Sequence, residues 1–348
     1  MSRFLQLHLL TFFPPANLNR DDTGRPKTAV VGGTTRLRLS SQALKRAWRT
    51  SPVFQAALAG HIGSRTQRLG EAVRAHLLAR QVPEPQALAI AREIAGVFGK
   101  LKDVKDPAPA RIEQLAFISP QEHADAIALA ERLAGGEKLD IKAASLLRTA
   151  DTAADIALFG RMLADNPEFN REAASQVAHA ITTHRVSVED DYYTAVDDLK
   201  TPAEDAGAGF LGEAAFGSGV FYLYLCVDTA LLLSNLGGDA ALAATTLAAL
   251  AEATATTAPS GKQNSYAAHG RAQYVLAEAG DAQPRTLAGA FAKSVGGEDL
   301  MAASIAELTR FRAALDAAYG SDGRTEAVMQ VGVAGSLAEI VAFCPASL

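Results

Sequence analysis

Hydrophobic positions follow two regimes along this chain. Residues 3–13, "RFLQLHLLTFF", form a nearly unbroken apolar run closed by Pro14-Pro15, which predicts a buried strand. At 36–40, "RLRLS" alternates strictly, with Arg36 and Arg38 on one face and Leu37 and Leu39 on the other. Ser40 or Ser41 then caps a helix running to about Thr50; Leu44 and Trp48 share one side of it, Lys45 and Arg49 another. Between 53 and 150 the period becomes helical, as in "RLGEAVRAHLLARQ" and "QEHADAIALAERLAGG", and no strand pattern is visible.

Strand patterns return in "TAADIALFGRML" (152–163), "QVAHAITTHRV" (176–186) and, most strongly, the aromatic and β-branched "SGVFYLYLCVDT" (218–229). Residues 186–218 are polar, with eight acids against Lys200, and read as an excursion between core strands. A helix at about 239–256, a loop "TTAPSGKQNS", a strand over 266–279 and helices at about 286–295 and 300–319 complete the pattern. The order predicts an α+β domain: a largely antiparallel sheet covered by helices, with a helical subdomain inserted at 53–150.

Composition excludes several classes. The chain of 348 residues has 49% apolar and 20% charged residues, the profile of a globular protein. Its two cysteines, Cys226 and Cys344, offer no disulfide framework or thiolate metal site, which fits a reducing cytoplasm. The apolar run at 4–13 is broken by Gln6 and His8, is followed by "PPAN" rather than a cleavage site, and is too short to span a bilayer.

Charge is unevenly placed. The net charge is −5, yet residues 20–49 hold eight Lys/Arg against Asp21 and Asp22, so that segment is +6 and the remainder −11. A row of cations beside the free N–H groups of a helix start suits successive phosphates of a nucleic-acid strand. A solvated basic face is the plainer account. His179 and His184 are five apart, which puts their rings on diverging faces and disfavours a shared metal. "APSGKQNS" lacks the first glycine and the hydroxyl residue of a phosphate loop, so Lys262 is left as a single cation in a polar loop. Asp21-Asp22 has no recognisable third ligand for a metal. Tyr192-Tyr193, Phe159 and Met162 read either as stacking groups or as packing.

"LNRDD" (18–22), "VGGTTRLRLSSQALKRAWR" (31–49), "AHAITTH" (178–184), "YTAVDDL" (193–199), "GSGVFYLY" (217–224) and "GKQNSYAA" (261–268) stand in an order that resembles the CasC family, the repeated backbone subunits of the type I-E CRISPR surveillance complex, Cascade. The likeness spans residues 1 to about 270 and is weakest in the helical insert. It implies a modified RRM-like, ferredoxin-like palm (1–52 and 151–348), inserted helical fingers (53–150) and a protruding thumb (186–218). It also implies a non-catalytic subunit without cofactor or metal. Its partners would be crRNA, target DNA paired to the guide, other Cascade subunits and further copies of the chain in a head-to-tail helical array. Carried over by the resemblance, RNA contacts fall on Arg20, Ser40, Gln42, Lys45, Arg46 and Arg49, and base displacement on Met162, Tyr193 and Thr194. Lys262 joins the contacts as a loop cation. Two alternatives stay open: a metal-dependent ribonuclease using Asp21 or Asp22, and a general single-stranded RNA coating protein.

Overall fold

The computed structural model describes residues 2–138, 142–195, 210–320 and 323–348. Among the described residues the strands are β1 (Phe4–Ala16), β2 (Thr28–Val31), β3 (Thr34–Leu39), β4 (Ser64–Thr66), β5 (Ala116–Ile118), β6 (Ser175–Val177), β7 (Ala180–Thr182), β8 (Glu189–Ala195), β9 (Phe210–Asp228), β10 (Ala272–Gly280) and β11 (Thr325–Gln330). The central sheet runs β11-β10-β1-β9-β7-β3-β2, with β6 and β8 also pairing with β9. All these pairings are antiparallel. The mixed α+β fold with a central antiparallel sheet is the one the hydrophobic pattern predicts.

The sheet is covered on both faces. On one side, Leu5, Leu7 and Leu9 of β1 meet helices α1 (Ser41–Arg49), α2 (Pro52–Ala57), α7 (Ala154–Phe159), α8 (Thr229–Asn235), α9 (Ala240–Thr256) and α12 (Leu337–Phe343). On the other, Leu10, Tyr222, Tyr274 and Leu276 pack against residues 287–291 and Leu308 of α11 (Leu300–Tyr319). A separate core unites α3 (Leu69–Ala79), α4 (Glu84–Gly96), α5 (Pro120–Ala134) and α6 (Ala143–Leu146). Gln6 and His8, the polar breaks in the first strand, are buried on the α11 side. There the Gln6 carbonyl accepts from Tyr224 Oη at 2.8 Å. No helix among the described residues is long and apolar enough to cross a membrane.

Several elements differ from the sequence reading. "TAADIALFGRML" is not a strand: its apolar run forms the buried helix α7, because a short apolar stretch carries no periodicity that separates the two states. Two three-residue strands, β4 and β5, pair within the helical insert and are too short to leave an alternating trace. The helix at 286–295 is only a 3₁₀ turn at Ala288–Phe291, and the strand expected from 266 begins at Ala272, after the short helix α10 (Gln263–Tyr266). Residues 28–31, ahead of the alternating stretch, form β2. Gly32 and Gly33, at φ 59° and 75°, make the two-residue turn to β3, and a Cβ at Gly32 would fall 1.7 Å from the Ala292 carbonyl.

Arg36 and Arg38 do share a face, but Arg36 is fully buried. It donates to the Thr182 and Phe291 carbonyls at 2.8 and 3.1 Å and to Thr34 Oγ1 at 2.8 Å, tying the hairpin to the sheet.

Candidate nucleic-acid interface

Two sites bring the sequence candidates together. The first is a cleft of about 490 Å³ lined by Arg20, Arg25, Tyr193, Glu213, Lys262 and Tyr266, among others. It forms because β1 and β9 part: their last paired residues are Ala16 and Gly217, and β9 continues outward with β8 as an exposed two-stranded ribbon. Asn17 bridges the parting by donating to the Ala215 and Gly24 carbonyls, both at 2.9 Å. The loop after β1 is shaped by Asp21, whose Oδ1 accepts from Thr23 N, Thr23 Oγ1 and Arg25 N at 2.8–3.0 Å. These bonds, the Thr23 hydroxyl first, hold its carboxyl below the usual range.

The ribbon is latched at its base by Arg25, 2.7 Å from Asp190 and 4.0 Å from Glu213. Tyr193 pairs across the ribbon with Gly212. A Cβ at Gly212 would lie 2.4 Å from Tyr193 Cζ, so the missing side chain is what lets the ring lie over β9 and reach the cleft. Thr194, the next residue, is exposed opposite Leu211. The part of the 186–218 excursion from 196 to 209 lies outside the described residues. Lys262, exposed with φ 51°, supplies the far wall.

The second site is α1. Ser40 is its N-cap, accepting from the Ala43 N–H at 3.4 Å while its own N–H donates to Asn19 Oδ1 at 2.8 Å. Ser40 is buried, so its role is to hold the helix start rather than to face a ligand. Gln42 and Arg46 are exposed. Lys45 lies 5.9 Å over the Phe159 ring, and burial lowers its pKa. Arg49 is committed elsewhere. It reaches the Gly63 carbonyl and Asp155, both at 3.2 Å, and its guanidinium covers the Phe117 ring. Burial nevertheless pushes the Asp155 carboxyl up to about 6, against the bond from the Gly63 N–H and the charge of Arg49.

Met162 stands beyond α7, 81% exposed. Its neighbour Arg161 is buried against Glu122 at 2.6 Å and donates to the Arg148 carbonyl, fixing the loop that carries the methionine. Met162 follows Phe159, the ring beneath Lys45, by three residues, while Tyr193 lines the cleft with Arg20 and Lys262. Among the described residues, Arg20, Lys45, Arg46 and Lys262 have no carboxylate within ion-pairing distance. No group of three or more His, Cys, Asp or Glu side chains there could hold a metal. Sequence reasoning missed Arg25 and Gly212, since both act through a strand register that composition does not reveal.

Comparison with known proteins adds to this geometry. One solved chain, described as "CRISPR RNA-guided surveillance complex, pre-nicking", is 30% identical; the match covers 99% of this chain and 100% of that one, with a TM-score of 0.88. Another, described as "CRISPR RNA-guided surveillance complex", is 26% identical with the same coverage and a TM-score of 0.76. No protein of curated function matches. Residues 5–340 match the family described as CT1975-like protein, and the chain belongs to that family of Cas proteins.

Proposed function

We propose that this chain is a component of a Cascade-type surveillance complex and, within it, the non-catalytic crRNA-binding subunit of the type I-E backbone. On this reading the sheet is an RRM-like palm, the helical insert is the fingers, and the β8–β9 ribbon is the base of the thumb. The observation that carries it is the succession of unpaired cations, Arg20 and Lys262 around the cleft and Lys45 and Arg46 on α1, in a chain whose net charge is negative. Such a track holds a phosphate backbone without reading bases, which is what a guide that must pair with target DNA requires. Copies stacked head to tail make a heterologous contact that grows into a helix. One copy's ribbon then approaches the next copy's Met162 loop, and Tyr193 and Met162 together displace a base.

Expression followed by sequencing of the bound nucleic acid tests the assignment. A uniform, repeat-derived RNA population is expected; a random mixture indicates a general coating protein and overturns it. The nuclease alternative is tested with divalent metal and complementary RNA. We expect no cleavage, because Asp21 is spent on the turn; regularly spaced cuts lost in Asp21→Ala or Asp22→Ala would overturn the non-catalytic reading.

Gly212→Ala gives a finer test. The atoms nearest the new methyl all belong to the far end of the Tyr193 ring, so stability should change by about 0.5 kcal/mol or less. The ring must move, so subunit spacing on RNA in electron micrographs should become irregular, as it should in Tyr193→Ala. Regular spacing in both variants would remove Tyr193 from the base-displacing role.

A further inference from the structure

A third basic group lies between the cleft and α1. Lys27 precedes β2, Arg38 is on β3, and His179 lies between β6 and β7. Arg38 Nη1 is 2.7 Å from His179 Nδ1, and the Arg38 N–H donates to the Lys27 carbonyl at 2.8 Å. Partial burial and then the charges of Arg38 and Lys27 lower the His179 pKa. With Arg38 donating to Nδ1, the neutral ring carries its proton on Nε2. All three side chains are then donors and none has a spare acceptor.

The positive charges of Arg38 and Lys27 both bear on His179, and elsewhere the chain meets its clustered cations with acids. Arg285 and Arg312 share Glu278, and Arg148 meets Asp125. Among the described residues, neither Lys27 nor Arg38 has a carboxylate within ion-pairing distance. An anion is the missing partner. The location says which anion. The Lys27 N–H donates to the Asn19 carbonyl at 2.8 Å, and Asn19 Oδ1 receives the Ser40 N–H. Asn19 thus joins this group to Arg20 of the cleft on one side and to the start of α1 on the other.

We propose that Lys27, Arg38 and His179 form a phosphate subsite that takes one phosphodiester of the RNA strand as it crosses the sheet from the Arg20–Lys262 cleft to α1. The subsite rests on the RNA-binding reading above and extends it to three residues with no role there. It also makes the three sites one path, which two separated cation clusters would not.

The test uses the full chain freed of bound nucleic acid and a labelled, mixed-sequence single-stranded RNA titrated at several salt concentrations. Arg38→Gln with His179→Ala should weaken binding about tenfold. It should also flatten the slope of log affinity against log salt by about 0.7, the share of one phosphate on a single strand. Lys27→Gln, a change on one half-exposed side chain, should flatten it likewise and decides the matter if the double variant does not fold. Wild-type affinity and slope in both, with Arg46→Ala still weakening binding, would overturn the subsite alone. Failure of the wild-type chain to bind the RNA would overturn the RNA-binding reading and the subsite with it.

Discussion

Reversing Lys45 and Arg46 together, Lys45→Glu with Arg46→Glu, is expected to lower affinity for single-stranded RNA by roughly 10²–10³-fold near 0.1 M salt. Each side chain lacks a carboxylate partner, so reversal removes a phosphate contact and adds a repulsive charge without freeing an internal acid. Packing of α1 rests on Leu44 and Trp48, both buried, and Arg46 is exposed. Among the described residues, the side-chain contact at risk is that of Lys45 with the Phe159 ring, worth about 0.5–1 kcal/mol. Fluorescence anisotropy should therefore show lost binding while the thermal midpoint moves by only a few degrees. An affinity within about threefold of wild type would remove α1 from the RNA path, since threefold is less than one charged contact contributes.

The same experiment with Arg49 in place of Arg46 would mislead. Lys45 and Arg49 share a side of α1, which makes them the obvious pair from the sequence. Yet Arg49→Glu sets a carboxylate against the fully buried Asp155 and opens the Gly63 contact. Lost binding in that variant would then report lost folding.

That contrast shows where sequence reading stops. The strand at 3–13, the alternation over Arg36–Leu39 and the helix from Ser41 were legible because each has a local period that burial enforces. The partners of a cation are not local. Arg36 and Arg38 look alike in "RLRLS", but Arg36 is covered by a residue 255 positions later, at the Phe291 carbonyl, and Arg38 is not. Ser40, one of two candidate caps in the sequence and an RNA contact by resemblance, is the buried cap; Gln42, two residues on, keeps the exposure a ligand needs. The α7 helix leaves no trace in the pattern because six residues hold too few turns to show a period. The cleft was hidden because it exists only where β1 and β9 part, a consequence of strand lengths rather than of any motif.

Glu278→Ala is expected to cost about 3–5 kcal/mol of stability at pH 7. Glu278 is fully buried on β10 and faces His8 Nε2 at 3.3 Å, Arg285 at 2.6 Å, Arg312 at 3.1 Å and Arg324 at 3.6 Å. Asp316 shares the three arginines but is bound to the same helix as Arg312, so it cannot replace a carboxylate in the sheet. Removing Glu278 leaves buried positive charge where β1, β10, β11 and α11 meet. Burial alone would raise the Glu278 pKa; the hydrogen bonds of His8 and Arg285 and the charge of Arg285 outweigh it and hold the group well below the usual carboxylate range. A depressed carboxyl pKa contributes stability that is present above the unfolded value, about 4.5, and is lost as pH falls toward the folded one. His8, lowered by burial, adds a loss that begins as pH falls below about 6.5, where the unfolded chain takes up a proton and the folded chain does not. Urea unfolding at pH 7 and at pH 4 should therefore show wild-type stability falling with pH, and the gap between wild type and Glu278→Ala narrowing at the lower value. A difference under about 1 kcal/mol at pH 7 would mean that the arginines find water or Asp316 instead, and that the α11 side of the sheet is held by its apolar contacts alone.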